Sequence, residues 1–270
     1  MSTPLDLYFV RHGQSEGNAA KRLSEAGDSS AFSADFRDRH SSSFRLTDLG
    51  YQQARAAGIF LRQNVLGQDF VFDRMYVSEY ARAQETAGLL GLPGANWLCD
   101  PYLTERDWGD ADNLPDDERK KRFGEALKKR EVEPFFWRPP NGESFSDLCL
   151  RVDRVLDTLH RECSDKRVII VCHGEVMRAF QVRLERLSQV RFRDLIFSDR
   201  SEDRIHNCQI THYTRRDPSS GQIRPYAGWV KWTRPAEEGS PSSDWSTIRR
   251  TTYSNADLLH LVRQIPRMVS

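Results

Sequence analysis

Three short segments of this 270-residue chain carry side chains suited to phosphate chemistry: Arg11-His12-Gly13, the run from Ser78 to Arg82, and His173-Gly174. A guanidinium presents a planar fork of donors that matches phosphate oxygens, so Arg11 and Arg82 together can neutralise a desolvated dianion. An unprotonated ring nitrogen of His12 can attack phosphorus, provided the other nitrogen donates a hydrogen bond that fixes the tautomer. His173 can then donate to the phosphoryl oxygens. An alkoxide leaving group needs a proton, and Glu105 and Asp107, both in Leu103-Thr104-Glu105-Arg106-Asp107-Trp108-Gly109, compete to supply it. Trp108 would desolvate such an acid, and negative charge developing nearby would raise its pKa in the same direction.

These residues act together only if the fold collects them, and the hydropathy pattern says how. Residues 5–10 and 167–172 are compact apolar runs that stop at Arg11-His12-Gly13 and at His173-Gly174, which predicts buried strands ending in turns. A further strand over 72–77 leads through Ser78 into a helix over 79–90, and a short strand is predicted over 97–99. Thr47 can cap a helix in which Leu46, Gly50, Ala54, Ala57 and Leu61 recur at spacings of three and four. Between residues 143 and 163, Phe145, Leu148, Val152, Val155, Leu156 and Leu159 form another stripe of helical period. Alternating strands and helices predict an α/β fold, a three-layer α/β/α sandwich with a largely parallel central sheet. Ligands of such sheets bind beyond the carboxyl ends of the strands, where all three segments fall.

The remaining segments read differently. Residues 24–43, rich in Ser, Asp and Arg, are predicted to be an insertion loop. Residues 116–131 place acids four before bases (Asp116/Lys120, Asp117/Lys121, Glu118/Arg122, Glu125/Lys129), which suits a solvated helix. Residues 208–214 and 223–232 flank a Pro-Ser-Ser-Gly turn and predict a hairpin on the sheet edge. The catalytic domain is therefore expected over 1–232, with a C-terminal extension, 233–270, made of a linker and a terminal helix over 254–265.

Composition narrows the partners. Forty basic residues nearly balance thirty-nine acidic ones, so no global field draws the chain to nucleic acid or to an anionic membrane, and any anion must be held locally. The first residues carry neither a basic leader nor a small-residue cleavage site, and no apolar stretch approaches spanning length; a cytoplasmic protein is the expectation. Cys99, Cys149, Cys163, Cys172 and Cys208 are widely spaced, and His40, His160, His206, His212 and His260 read as structural. No metal site and no cofactor are expected. The expected partner is a small phosphorylated substrate, and nothing indicates a homo-oligomer.

Taken in order, the motifs resemble those of the histidine phosphatase superfamily, first branch, also called phosphoglycerate mutase-like, over roughly residues 5 to 214. Its hallmark RHG turn appears as Val10-Arg11-His12-Gly13-Gln14-Ser15-Glu16-Gly17-Asn18, and its leucine-threonine-x-x-glycine helix start as Leu46-Thr47-Asp48-Leu49-Gly50. The arginine turn appears as Ser78 to Ala87, with Glu79 where proline is common and Glu85 where glutamine is usual. The acid segment, Gly142-Glu143-Ser144 and His173-Gly174 complete the series. By resemblance His12 is the nucleophile, Arg11, Arg82 and His173 bind the phosphoryl group, and Glu105 rather than Asp107 is the acid. Asn18, Ser15 and Gly174 join the substrate-binding set. The Glu-Arg-Asp-Trp-Gly run, the run from Phe135 to Ser144 and Asn207-Cys208 are similar to a fungal and plant phosphatase-like subgroup. The insertion at 24–43 and everything after Arg215 have no counterpart in the family pattern.

The resemblance implies hydrolysis of phosphate monoesters through a phosphohistidine, with a cofactor-dependent phosphoglycerate mutase as the alternative. Mutases of the family typically have an aromatic residue before the asparagine of the first motif, where this chain has Gly17. Asp110, Asp112, Asp116 and Asp117 also follow the acid motif, where a second phosphate would want bases, although Arg119 to Arg122 could compensate if folded back. A non-catalytic phosphate-binding protein fits less well, because nucleophile and acid are both present.

Overall fold

Alternation along the strands divides the molecule into layers. A computed structural model describes residues 2–66 and 71–269. The chain runs through β1 (Asp6–Arg11), α1 (Glu16–Glu25), α2 (Ala34–Asp38), α3 (Asp48–Leu61), β2 (Arg74–Ser78) and α4 (Ala81–Leu89). It continues through β3 (Trp97–Asp100), α5 (Asp116–Val132), α6 (Phe145–Glu162), β4 (Arg167–Cys172), α7 (Gly174–Glu185) and α8 (Gln189–Ile196). β5 (Ile210–Thr214), β6 (Trp229–Thr233), β7 (Ser246–Thr247) and α9 (Asn255–Arg263) complete it.

The strands lie side by side in the order β3-β2-β4-β1-β5-β6-β7. β3, β2, β4 and β1 are parallel, while β5, β6 and β7 extend the sheet antiparallel. Successive side chains of a strand point to opposite faces. Leu7, Phe9, Val168 and Ile170 therefore pack against Phe145, Leu148, Val152 and Leu159 of α6 and Phe180 of α7. Tyr8, Val10, Ile169 and Val171 face Ala54, Ala57 and Leu61 of α3 and Ala83 and Ala87 of α4. That is the three-layer sandwich. Phe180 is fully buried, with its ring 4.5 Å from that of Phe9. Phe180→Ala is expected to cost about 3–5 kcal/mol in urea unfolding, as for other large-to-small core changes. A loss below about 1 kcal/mol would show that this face is not close-packed.

Caps fix where the helices begin. Thr47 Oγ1 accepts the Gly50 amide, and Ser144 and Asp147 form a reciprocal capping box at the start of α6. Gly50 itself is required by close approach: a Cβ there would lie 2.1 Å from the Gln14 carbonyl oxygen, so α3 can lean directly on the turn after His12.

The structure differs from the sequence pattern in five places. β2 runs through Ser78 and α4 starts at Ala81, so Glu79 and Tyr80 make the bend between them. Residues 24–43 are not all loop; they hold the end of α1, the short α2 and a single turn over Ser41–Ser43. The second hairpin strand starts at Trp229 rather than at 223, because Ile223 makes only an isolated bridge with Arg216. The linker-like stretch after Thr233 contributes β7, paired with β6, and buries Arg234 against Gln209 and Ser201. On α5, Asp116–Lys120 and Glu118–Arg122 pair as the spacing predicts, whereas Glu125 takes Lys128 at 2.8 Å. α9 is exposed along its whole length. Among the described residues, no helix is long and apolar enough to cross a membrane.

Candidate active site

Because β2, β4 and β1 are neighbours in that order, their carboxyl ends bring the turn after Ser78, His173 and Arg11-His12 to one point. The His12 amide donates to the Cys172 carbonyl at 3.0 Å, which ties the two histidine turns together. His12 Nδ1 lies 2.7 Å from the Gly13 carbonyl oxygen, which can only accept. Nδ1 therefore carries the hydrogen and Nε2 keeps its lone pair. Burial, with help from the charges of Arg82 and Arg11, holds the His12 pKa well below the ordinary histidine value, so the ring is neutral. Arg82 Nε donates to that Nε2 at 3.3 Å. The same guanidinium donates to the Ser41 carbonyl at 2.6 Å and lies 4.8 Å from the Tyr80 ring centre.

The His173 ring is 5.1 Å from that of His12, and its pKa is also lowered, first by burial and then by Arg82. Its Nε2 is 2.7 Å from Ser78 Oγ, whereas Nδ1 is buried with no hydrogen-bond partner. With Ser78 donating to Nε2, Nδ1 carries the hydrogen and remains a free donor. Arg11 shows the same feature: one terminal nitrogen holds the Ile205 carbonyl at 2.6 Å, and Nε is buried without a partner. Buried donors are nearly always satisfied. Two unsatisfied ones beside the His12 ring mark the place for an oxygen-rich anion.

Glu105 follows the turn Pro101–Leu103 and accepts the Arg106 amide at 3.0 Å. Its pKa is pushed up to about 7, first by burial and then by the charge of Glu175, against the pull of Arg82 and Arg11. Trp108 lines the cavities with Glu105, but the like charge raising its pKa belongs to Glu175, seventy residues along the chain. Asp107 is exposed, and its carboxylate accepts the Gly109 amide at 2.7 Å.

Two cavities meet at Glu105. One, of about 160 Å³, is lined by His12, Asn18, Arg82 and Glu105 and walled by Phe32, Phe36 and Phe44. The other, of about 810 Å³, opens past Arg11 and Gly174. Asn18 lines both; its Oδ1 accepts from the Ser15 amide and from Asn207 Nδ2, leaving its own Nδ2 as the end without a protein partner among the described residues. Ser15 borders the smaller cavity with its hydroxyl engaged in capping α1. Gly174 borders the larger cavity, and a Cβ there would make only ordinary contact with Arg11 Nε, at 3.4 Å.

Several contributors escaped the sequence reading. Asn207 donates to the His12 carbonyl at 3.0 Å, and Thr86 bridges the Gly13 amide and the Arg82 carbonyl at 3.0 and 2.7 Å. Ser41, Phe32 and Phe36 come from the insertion and Phe44 from the residue just after it, and only the fold brings them over the site. Glu175, two residues after His173, had a signal in its position. No group of three or more His, Cys, Asp or Glu side chains placed to hold a metal occurs among the described residues.

The pattern of the histidine phosphatase superfamily, branch 1, matches residues 7–217, and the chain belongs to that superfamily. It is similar to 2,3-bisphosphoglycerate-dependent phosphoglycerate mutases of Azorhizobium caulinodans (35% identity over 67% of this chain and 82% of the relative) and Methylobacterium radiotolerans (34% over 70% and 83%). Among solved structures it resembles the alpha-ribazole phosphatase of Shigella flexneri (TM-score 0.60, 21% identity, 82% of this chain and 96% of that one). A mycobacterial glucosyl-3-phosphoglycerate phosphatase is similar too (TM-score 0.59, 21% identity, 90% and 96%). These relatives are bacterial and do not bear on the narrower likeness to a fungal and plant subgroup.

Proposed function

We propose that the protein hydrolyses phosphate monoesters of small metabolites through a phosphohistidine on His12. The observation that carries this reading is a neutral, tautomer-locked His12 whose Nε2 lone pair is covered only by the Arg82 guanidinium, beside the unsatisfied nitrogens of Arg11 and His173. Nε2 attacks phosphorus as the ester P–O bond breaks, and Glu105 gives its proton to the leaving oxygen. Arg82 leaves the Nε2 lone pair and moves onto the phosphoryl oxygens, where Arg11 and His173 also donate. Water then attacks phosphorus, passing a proton to Glu105, and the N–P bond breaks to return His12 and release phosphate.

The acid role has its own test. Glu105→Gln is expected to lower kcat/KM for glycerol 3-phosphate by roughly 10²- to 10³-fold, and for 4-nitrophenyl phosphate, whose leaving group departs unaided, by less than tenfold. Equal losses would make Glu105 a positional residue. In the wild type, glycerol 3-phosphate turnover should fall as pH rises through about 7, where Glu105 loses its proton. The acid limb should lie below the ordinary histidine range, because His12 is neutral there.

One observation favours phosphoglycerate mutase-type transfer as the second reading. Lys21, Arg119, Lys120 and Arg130 line the larger cavity, and the Asp116 carboxylate is already paired with Arg119 and Lys120. The acidity after the acid motif therefore counts for less than its sequence suggests. Incubation with 3-phosphoglycerate, with and without 2,3-bisphosphoglycerate, separates the two. Phosphate release without isomerisation is the expected result; isomerisation that needs the bisphosphate and outpaces phosphate release would reverse the order.

A further inference from the structure

A single carboxylate fastens the acid segment to the second histidine turn. Glu175, the second residue of α7, accepts the indole N–H of Trp108 on Oε2 at 2.9 Å and a guanidinium N–H of Arg106 on Oε1 at 3.3 Å. Arg106 is buried, and its other donors hold the Glu143 carbonyl at 2.8 Å and the Trp137 carbonyl at 3.3 Å. Its own amide holds Glu105 Oε1. The peptide carrying Glu105 is thus tied, through its two neighbours Arg106 and Trp108, to the helix that begins one residue after His173.

We propose that Glu175 is a positioning residue, which clamps the Glu105 segment onto the His173 turn and keeps the proton donor in register with the phosphoryl donors. The inference rests on the reading of Glu105 as the acid and adds the device that holds it. A segment without regular structure would otherwise have to keep a carboxyl within a hydrogen bond's reach of one ester oxygen, a tolerance that loops rarely hold unaided.

Charge gives the clamp a second effect. Arg11 from β1, His12, Lys21 from α1, Arg82 from α4, Asp112, Arg119 from α5 and His173 all share the site with Glu105. The nearby cations favour its ionised form, and Glu175 opposes them. A like charge in the same low-dielectric cavity keeps the proton on the acid to higher pH.

Two substitutions separate the effects. In Glu175→Gln the amide oxygen can still accept from Trp108, so that half of the clamp stays while the Arg106 contact and the charge go; in Trp108→Phe the indole N–H goes and the charge stays. Both are measured against glycerol 3-phosphate and 4-nitrophenyl phosphate across pH, with Glu105→Gln alongside. Glu175→Gln is expected to move the upper limb for the glycerol ester down by about one pH unit, leaving the nitrophenyl profile unmoved. Trp108→Phe is expected to keep that limb in place and to lower kcat for the glycerol ester by roughly tenfold, with little change on the nitrophenyl ester. An unmoved limb in Glu175→Gln, or equal fractional losses on both esters in Trp108→Phe, overturns the proposal. Should Glu175→Gln fail to fold, Trp108→Phe alone decides. If Glu105→Gln is selective while the other two are not, only the role of Glu175 falls; equal losses in Glu105→Gln remove the acid role and the clamp with it.

Discussion

His12→Ala is expected to lower kcat/KM by roughly 10⁵-fold or more while leaving a folded protein, because every other group at the site can only assist an attack that this ring makes. The substitution strands two partners, the Gly13 carbonyl oxygen and Arg82 Nε, which hold the ring at 2.7 and 3.3 Å. Leaving them unpaired costs about 1–3 kcal/mol each, which a thermal melt would register as a lowered but cooperative transition. Rapid quenching of the wild type with a ³²P-labelled monoester should trap an acid-labile, base-stable adduct on His12. An adduct of the same stability in His12→Ala would place the nucleophile elsewhere.

Arg82→Ala should come second in size, with a loss of roughly 10³-fold, in the range found when one preorganised donor is removed from a developing oxyanion. Arg82 has two duties in the free enzyme, covering the His12 lone pair and lowering the His12 pKa. Its loss therefore has a second signature: the acid limb of the profile should rise toward the ordinary histidine range, since a positive charge that opposed protonation is gone. Arg82→Lys keeps a charge but not the fork that reaches His12 and the Ser41 carbonyl together, so it should restore the limb more completely than the rate. A loss below tenfold in Arg82→Ala would leave Arg11 and His173 as the phosphoryl clamp.

The three strand ends that make the site were legible because a buried parallel strand writes its boundaries plainly. The residues 168–171 admit no polar side chain, and the next residues, His173-Gly174, are both the end of the run and the chemistry. Glu105 was legible as an acid whose pKa should rise by desolvation, but the partner in that rise was not, because Glu175 sits on α7 and only packing brings the two together. The insertion was the hardest to read. Its polar composition suggests a loop, yet Phe36 and Phe44 stack with ring centres 4.4 Å apart and Phe32 meets Phe36 edge-on at 5.3 Å. Three aromatics spread over thirteen positions have no helical or strand period, so their meeting is a tertiary fact. β7 was missed for a similar reason: a two-residue edge strand takes its pairing from β6 and carries no pattern of its own.

The segment from Glu16 to Arg45, which holds α1 and the insertion, leaves and re-enters the fold at one narrow neck. Ser15 and Leu46 form an antiparallel bridge, the Glu16 amide donates to the Arg45 carbonyl at 2.9 Å, and the Arg45 amide returns to the Glu16 carboxylate at 2.9 Å. A loop closed at its base can change length and sequence at small entropic cost to the rest of the chain. Its length and sequence can therefore change while the residues on the strand ends keep their places. The Ser41 carbonyl parks Arg82, and the Arg39 carbonyl and Ser24 hydroxyl meet Asn113 and Asp116, so a replacement loop has these contacts to reproduce.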